Sequence, residues 1–264
     1  MHINKANINN LTGLWKKYGA QQIGNNRLPL LHINTKWPNR CWFDWTALSN
    51  ETVRKTLQEY ANNSTLFEDM SESTVVPIWS IMSRLNEETP EDQLAQQFIE
   101  NLLIEKNWGC KFEQTTMSLK LQNKAVCSSS ARTGFEVRVV SKSKEVGEWV
   151  DIGSEAFAYN IDHSVIEQLI NDKDIQILLG IQNGLAVACA LLYKTGDVIG
   201  LHQVGVKQAF QGKGIARCFM REIFSACTLW QGKYVVLQAS SAGQPLYFSL
   251  GFKELFYIRN YQKI

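Results

Sequence analysis

"AFQGKGIARCFM", residues 209–220, sets Gly212 and Gly214 on either side of Lys213, between an apolar run and an amphipathic pattern. Glycine costs about 1 kcal/mol against alanine inside a helix, so two at a helix entrance need a reason. Either the backbone turns tightly there, or something approaches the main chain closely. Upstream, "VIGLHQVGV" (198–206) reads as a strand. Downstream, Ile215, Phe219, Ile223 and Cys227 recur at i, i+4 spacing, one face of a helix running from about Gly214 to Cys227.

The neighbouring segments extend this unit. "FEVRVV" (135–140) alternates and is rich in β-branched residues, a strand pattern. "KEVGEWVDIGSEAF" (144–157) and "DHSVIEQLIND" (162–172) have helical spacing, the second with Asp162 as N-cap. Asn183-Gly184 joins "IQILLGIQ" to "LAVACALLYKTGD" as a tight hairpin. "YVVLQAS" (234–240) is a buried strand, "AGQPLYFSLGF" (242–252) holds a short helix ending at Gly251, and "KELFYIRNYQ" is a last strand. Antiparallel strands followed by a strand–loop–helix–strand crossover predict an α+β fold, a mixed and mostly antiparallel sheet flanked by helices.

Composition narrows the function. The chain has 264 residues, 45% hydrophobic and 20% charged, with a formal net charge of +2. That balance gives no electrostatic support for nucleic acid or a membrane surface as partner. No apolar run approaches the ~20 residues that span a bilayer. The polar start "MHINKANINNLTGLWKK" lacks the apolar core of a signal peptide, so a cytoplasmic location is expected. The 6 cysteines show no C-x-x-C pairing and the 4 histidines are scattered, so no metal site is expected.

The polar segment "LQNKAVCSSSARTG" (121–134) interrupts the chain near its middle. It predicts an N-terminal domain over 1–124, a linker over 125–134 and a C-terminal domain over 135–264. The N-terminal part has a helical start ("INNLTGLWKKYG"), an aromatic stretch "WPNRCWFDW" (37–45) and a strand-like "STVVPIWSIMS". A helix follows in "TPEDQLAQQFIENLLIEKN", with Thr89 as N-cap, Pro90 at its first position and Asp92 in its first turn. This half carries no glycine loop and no cluster of acids, histidines or nucleophiles. Trp37, Trp42 and Trp45 either pack a core, the better default, or line an acceptor pocket.

The 209–220 loop is not a P-loop, because Lys207 stands where that motif needs a glycine; Arg217 likewise occupies the third glycine position of the dinucleotide fingerprint. What remains is Gln211-Gly212-Lys213-Gly214-Ile215-Ala216 after Val204-Gly205-Val206. This resembles the acetyl-CoA signature Q/R-x-x-G-x-G/A of the GNAT acyltransferase superfamily. "LQASSAGQPLYFSLGF" (237–252) resembles the same family's strand, short helix and L-Y-x-x-L-G-F segment, at the family's spacing from the loop. The resemblance covers residues 135–261. The loop also suits the chemistry by itself, since amides converging at a glycine-rich helix start, with the helix dipole behind them, make a nest for a pyrophosphate. An ordinary glycine turn is the other reading of the loop alone.

The resemblance implies that acetyl-CoA lies where strands 198–206 and 234–240 splay apart. The backbone of Val204, Gly205 and Val206 would pair with the pantetheine arm, and the Val204 N–H would meet the thioester carbonyl as an oxyanion donor. The amides of Gln211, Gly212, Lys213, Gly214, Ile215 and Ala216 would hold the pyrophosphate. Tyr247 aligns with the tyrosine that protonates the departing CoA thiolate; the alternative is a packed aromatic on a short helix. Ser240 stands where many members have asparagine, and still offers a hydroxyl to CoA. Pro245 is less usual for the family but fits a first helical turn.

His202 lies two residues before Val204, where some members carry a glutamate facing the acceptor. It is a candidate base or substrate contact, against a plain reading as a hydrogen-bonded sheet residue. Gln203 and Tyr159 are weaker candidates for acceptor contacts. The chain ends soon after "RNYQKI", so the family's last strand is either absent or supplied by the N-terminal half. That half ends in "LLIEKNWGCKFEQTTMSLKL", which resembles the closing helix, turn and strand of a GNAT fold; a degenerate second copy without the CoA loop is expected. The function implied is acetyl-CoA-dependent N-acetylation of a primary amine, a small molecule by preference, with no metal. The alternatives are a catalytically weak acyl-CoA sensor, transfer of a longer acyl group, or a protein or peptide lysine acetyltransferase.

Overall fold

Asn183 and Gly184 both take left-handed backbone angles, φ 51° and 82°, which turns β7 (Ile175–Gln182) directly into β8 (Leu185–Thr195). A computed structural model describes residues 2–23, 31–44, 55, 67, 70–79, 90–121 and 133–264. Thr89, Trp45, Cys127 and most of the expected linker lie outside the described residues. The chain divides into two compact units: Met1–Met117 with Gln238–Tyr247 and Glu254–Ile264, and Ser118–Leu237 with Phe248–Lys253.

The second unit is built on the hairpin. β6 (Phe135–Val139) pairs antiparallel with β7, β7 with β8, and β8 with β9 (Val198–Val206), while β10 (Tyr234–Ala239) runs parallel to β9. β8 is buried almost throughout, as its unbroken apolar sequence demands of a strand covered on both faces. One cover is α3 (Ser143–Phe157), which packs Trp149 and Ile152 against β8 and β9. The other is α5 (Ile215–Leu229), whose buried face includes the expected Ile215, Phe219, Ile223 and Cys227. Burying a side chain the size of Phe219 or Ile223 contributes about 2 kcal/mol.

Asp162 caps α4 (His163–Glu167) by accepting from the Ser164 amide at 2.8 Å. This helix is shorter than its sequence pattern predicts. After Glu167 the bonds tighten to i→i−3, Leu169 to Ile166 and Ile170 to Glu167, and the Asp172 carboxylate takes the Asp174 amide.

The first unit contains α1 (Ile3–Lys17) and a small antiparallel sheet of β1 (Gln21–Ile23), β2 (Leu31–Ile33) and β3 (Cys41–Phe43). It also holds β4 (Val76–Trp79), α2 (Pro90–Glu105) and most of β5 (Trp108–Lys120). The C-terminal strand β11 (Lys253–Lys263) lies between β4 and β5 in this unit, paired antiparallel with β4 from Ile258↔Trp79 to Tyr261↔Val76. Trp37 and Trp42 are core residues here, Trp42 wedged between Trp15 and a stacked His32 ring at 5.1 Å. Buried Glu100 is compensated by Arg259 at 2.8 Å.

β5 answers the question of the last strand. It neighbours β10 in the sheet, and just beyond its end the Leu121 amide donates to the Lys233 carbonyl at 2.9 Å, both within the second unit. The N-terminal half of the sequence thus supplies the strand beside β10, while the C-terminal strand belongs to the first unit. A fragment of residues 133–264 therefore keeps β11 without β4 and β5, and β10 with β9 but without β5. Its unfolding, followed by circular dichroism in urea, is expected to show no cooperative transition; a cooperative one with the full chain's slope per unit length would contradict this topology.

Candidate acyl-donor site

β9 and β10 pair only from Val198↔Tyr234 to Gly200↔Val236. β9 then continues to Val206 and β10 to Ala239 with no further recorded pairing between them, so two parallel strands part company. From 201 onward β9 has no ladder with β10, an edge suited to an extended, amide-bearing arm. Gly205 sits in this stretch for a steric reason. A Cβ there would lie 2.9 Å from the Ala156 Cβ and 3.0 Å from the Cys189 Sγ, so only glycine lets α3 close on the strand.

This edge lies beside a bulge. Cys189 pairs with Gly205 but Leu191 pairs with His202, so Gln203 and Val204 together face Ala190. Gln203 takes φ 52°, a left-handed angle that costs a non-glycine residue about 1 kcal/mol or more. The irregularity is fully bonded. Trp149 Nε1 donates to the Ala190 carbonyl at 2.9 Å, Cys189 Sγ donates to the Gln203 carbonyl at 3.4 Å, and Tyr159 Oη donates to Gln203 Oε1 at 3.1 Å. Burial pushes the Cys189 thiol up to about 12, so it stays protonated and able to donate. Periodicity gave no sign of these buttresses, because a bulge breaks the alternation on which strand reading depends.

After β9 a short 3-10 turn, Gln208–Phe210, leads into the glycine loop, with the Gln208 amide held by Glu155 Oε1 at 2.7 Å. Gly212 and Gly214 have φ 71° and 77°, so both glycines are required by the backbone. Gly214 is the N-cap of α5 and offers no side chain to its amides; the first recorded helical bond is Cys218 N to Gly214 O at 3.1 Å. The amides of Ile215 and Ala216 thus stand in the unbonded first turn, at the positive end of the helix dipole. Gln211 folds back onto the Val206 carbonyl (3.0 Å), Lys213 onto the Ala209 carbonyl (2.8 Å), and Arg217 reaches Ser249 Oγ (2.8 Å). The main chain, not these side chains, is what the loop presents.

Of the expected site residues, Val204, Gly205, Val206 and Gln211 to Ala216 therefore form one continuous feature of the second unit. Ser240 and Tyr247 lie together in the first unit. Ser240 Oγ accepts from the Gly243 amide at 3.2 Å and starts the turn into α6 (Gln244–Ser249). A Cβ on Gly243 would sit 3.3 Å from the Tyr247 ring, which explains the glycine. Tyr247 is buried, and that burial raises its phenol well above the usual value, so it carries its proton throughout the neutral range.

His202 is buried too, and desolvation lowers its imidazole to about 3. A folded-state value below the unfolded one means that the unfolded chain binds more protons between pH 3 and 6.5. The contribution is complete above 6.5 and is lost as pH falls toward 3. From pH 6.5 to 4.5 this group alone is expected to remove about 2 kcal/mol of stability. Urea unfolding of wild type and His202→Gln at both pH values checks this; an equal acid loss in the two proteins would contradict it.

Splayed parallel strands, a bulge, and a glycine loop at an uncapped helix define the class: the α+β fold of acyl-CoA N-acyltransferases. Residues 173–254 match the family model described as "Acetyltransferase (GNAT) domain", and this part of the chain is a GNAT domain. Among solved structures, a GCN5-related N-acetyltransferase from Kribbella flavida has TM-score 0.68 at 14% identity, covering 98% of this chain and 95% of that one. Another, from Sphaerobacter thermophilus, has TM-score 0.61 at 14% identity, covering 89% and 76%. At such identities the likeness establishes the fold. No curated protein sequence matches the chain. Among the described residues, no helix is long and apolar enough to cross a membrane and no cluster of metal-ligating side chains occurs.

Proposed function

We propose that the protein is an acetyl-CoA-dependent N-acetyltransferase acting on a primary amine of a small molecule. The observation that carries this reading is the parting of β9 from β10 beside the uncapped glycine loop. The opened edge of β9 suits the pantetheine amides, and the amides of 212–216 suit the pyrophosphate, while the Gln211 amide donates to the Gln208 carbonyl at 3.2 Å. The neutral amine attacks the thioester carbonyl carbon; a C–N bond forms and the C–S bond breaks. The Val204 N–H donates to the oxygen as it gains charge. The proton for the departing thiolate is assigned to Tyr247 by the family resemblance alone, burial keeping its phenol protonated, and the proton lost by the amine passes to solvent.

His202 is better suited to an acceptor-side contact than to proton removal, since an imidazole near 3 is a poor base at pH 7. A small-molecule acceptor is favoured by the groups beside the bulge. Gln203 and His202 are neutral there, and the Glu155 carboxylate accepts from the Gln208 amide at 2.7 Å. The N-terminal half we read as a degenerate GNAT copy, on the strength of its α2–β5 ending. The test is CoA release from acetyl-CoA with a panel of polyamines, amino sugars and lysine peptides. Acceleration by a small amine is expected. Release no faster with any amine than with water would favour the acyl-CoA sensor, and acceleration by lysine peptides alone a protein acetyltransferase.

A further inference from the structure

Gln203 precedes the residue whose amide meets the thioester in the reading above, and its backbone is left-handed at φ 52°. The peptide plane between Gln203 and Val204 is shared, so any rotation of Gln203 out of this conformation swings the Val204 N–H with it. A donor misdirected toward 120° loses most of its bond. Glutamine does not hold such an angle by preference. What holds it comes from outside β9. Tyr159 Oη bonds the side-chain oxygen at 3.1 Å and Cys189 Sγ bonds the carbonyl at 3.4 Å.

Tyr159 is itself well anchored. It follows Ala158, whose left-handed φ of 56° ends α3, and its ring stacks on Phe157 at 5.7 Å and 18°. Phe157 in turn lies 3.5 Å from where a Cβ on Gly205 would be, so the end of α3 is seated on the bulged stretch of β9.

We infer that Tyr159 is a positioning residue for acyl transfer, fixing the Gln203–Val204 peptide and through it the oxyanion donor. The inference rests on the acetyl-CoA reading of the site. It differs from direct acceptor contact by Tyr159 in one respect: its effect must pass through Gln203. Glycine at 203 adopts the left-handed angle without help, so there the tyrosine hydroxyl becomes irrelevant.

The test is a double-mutant cycle of Tyr159→Phe and Gln203→Gly on the full chain, read by the Val204 amide resonance. In wild type this resonance is expected to differ between acetyl-CoA-saturated and CoA-saturated protein. Tyr159→Phe should reduce that difference by at least about twofold, while the calorimetric Kd for acetyl-CoA stays within about twofold. In the Gln203→Gly background, Tyr159→Phe should change nothing further. An unchanged Val204 shift in Tyr159→Phe, or an equal loss in both backgrounds, overturns the inference and leaves the acetyl-CoA reading standing. The same holds if wild type binds acetyl-CoA without any Val204 difference. Wild type that binds no acetyl-CoA overturns both.

Discussion

Gly212→Asp is expected to weaken acetyl-CoA binding by at least about a hundredfold while lowering the thermal midpoint by only about 2–4 °C. Two effects add. Gly212 has φ 71°, a region that costs a residue with a Cβ about 1 kcal/mol. An aspartate would also place a negative charge among amides proposed to hold a pyrophosphate, and like charges brought together there cost several kcal/mol. Gly212→Ala separates the two. A Cβ at 212 meets nothing within 4 Å, so alanine bears only the backbone cost and should lose about tenfold or less. Equal losses in both variants would mean that the charge does not matter and that the loop holds no phosphate. The loop is exposed, so only the backbone cost should reach stability.

Tyr247→Phe is expected to lower kcat about a hundredfold with little change in KM for acetyl-CoA. Phenylalanine keeps the ring beside Gly243 and removes only the hydroxyl, so packing at that point is preserved. A proton delivered in the transition state affects kcat and leaves ground-state binding alone. The loss should shrink with acyl donors whose thiol leaving group is more acidic, because they need the proton less. A fall in kcat below about threefold would return Tyr247 to the core, as a packed aromatic.

Much of the second unit could be read from local signals. Asn183-Gly184 is a two-residue turn whose geometry glycine and asparagine alone suffice to specify, and β7–β8 follow from it. The face of α5 is periodic, and Ile215, Phe219, Ile223 and Cys227 are buried on it as spaced. The glycines of the loop are where left-handed angles require them. Tyr247 and Ser240, by contrast, were reached through family resemblance; neither stands out by spacing.

What stayed illegible is non-local. β11 pairs with β4, about 180 residues earlier, and β5 lies next to β10; nothing in the local composition of these strands names its partner. The bulge at Gln203 and Val204 is likewise set by a mismatch with β8, and its supports, Cys189, Trp149 and Tyr159, come from three other segments. His202 shows the same limit. Its position on β9 was plain, but its burial depends on layers folded over both faces of the sheet, and that burial decides its chemistry.

The most direct measurement is a calorimetric titration of the full chain with acetyl-CoA. The predicted result is one saturable site per chain. A second site would contradict an N-terminal half without CoA-binding capacity. No heat and no protection at any concentration would mean that the glycine loop is only a turn, and the acetyltransferase reading would fall with it.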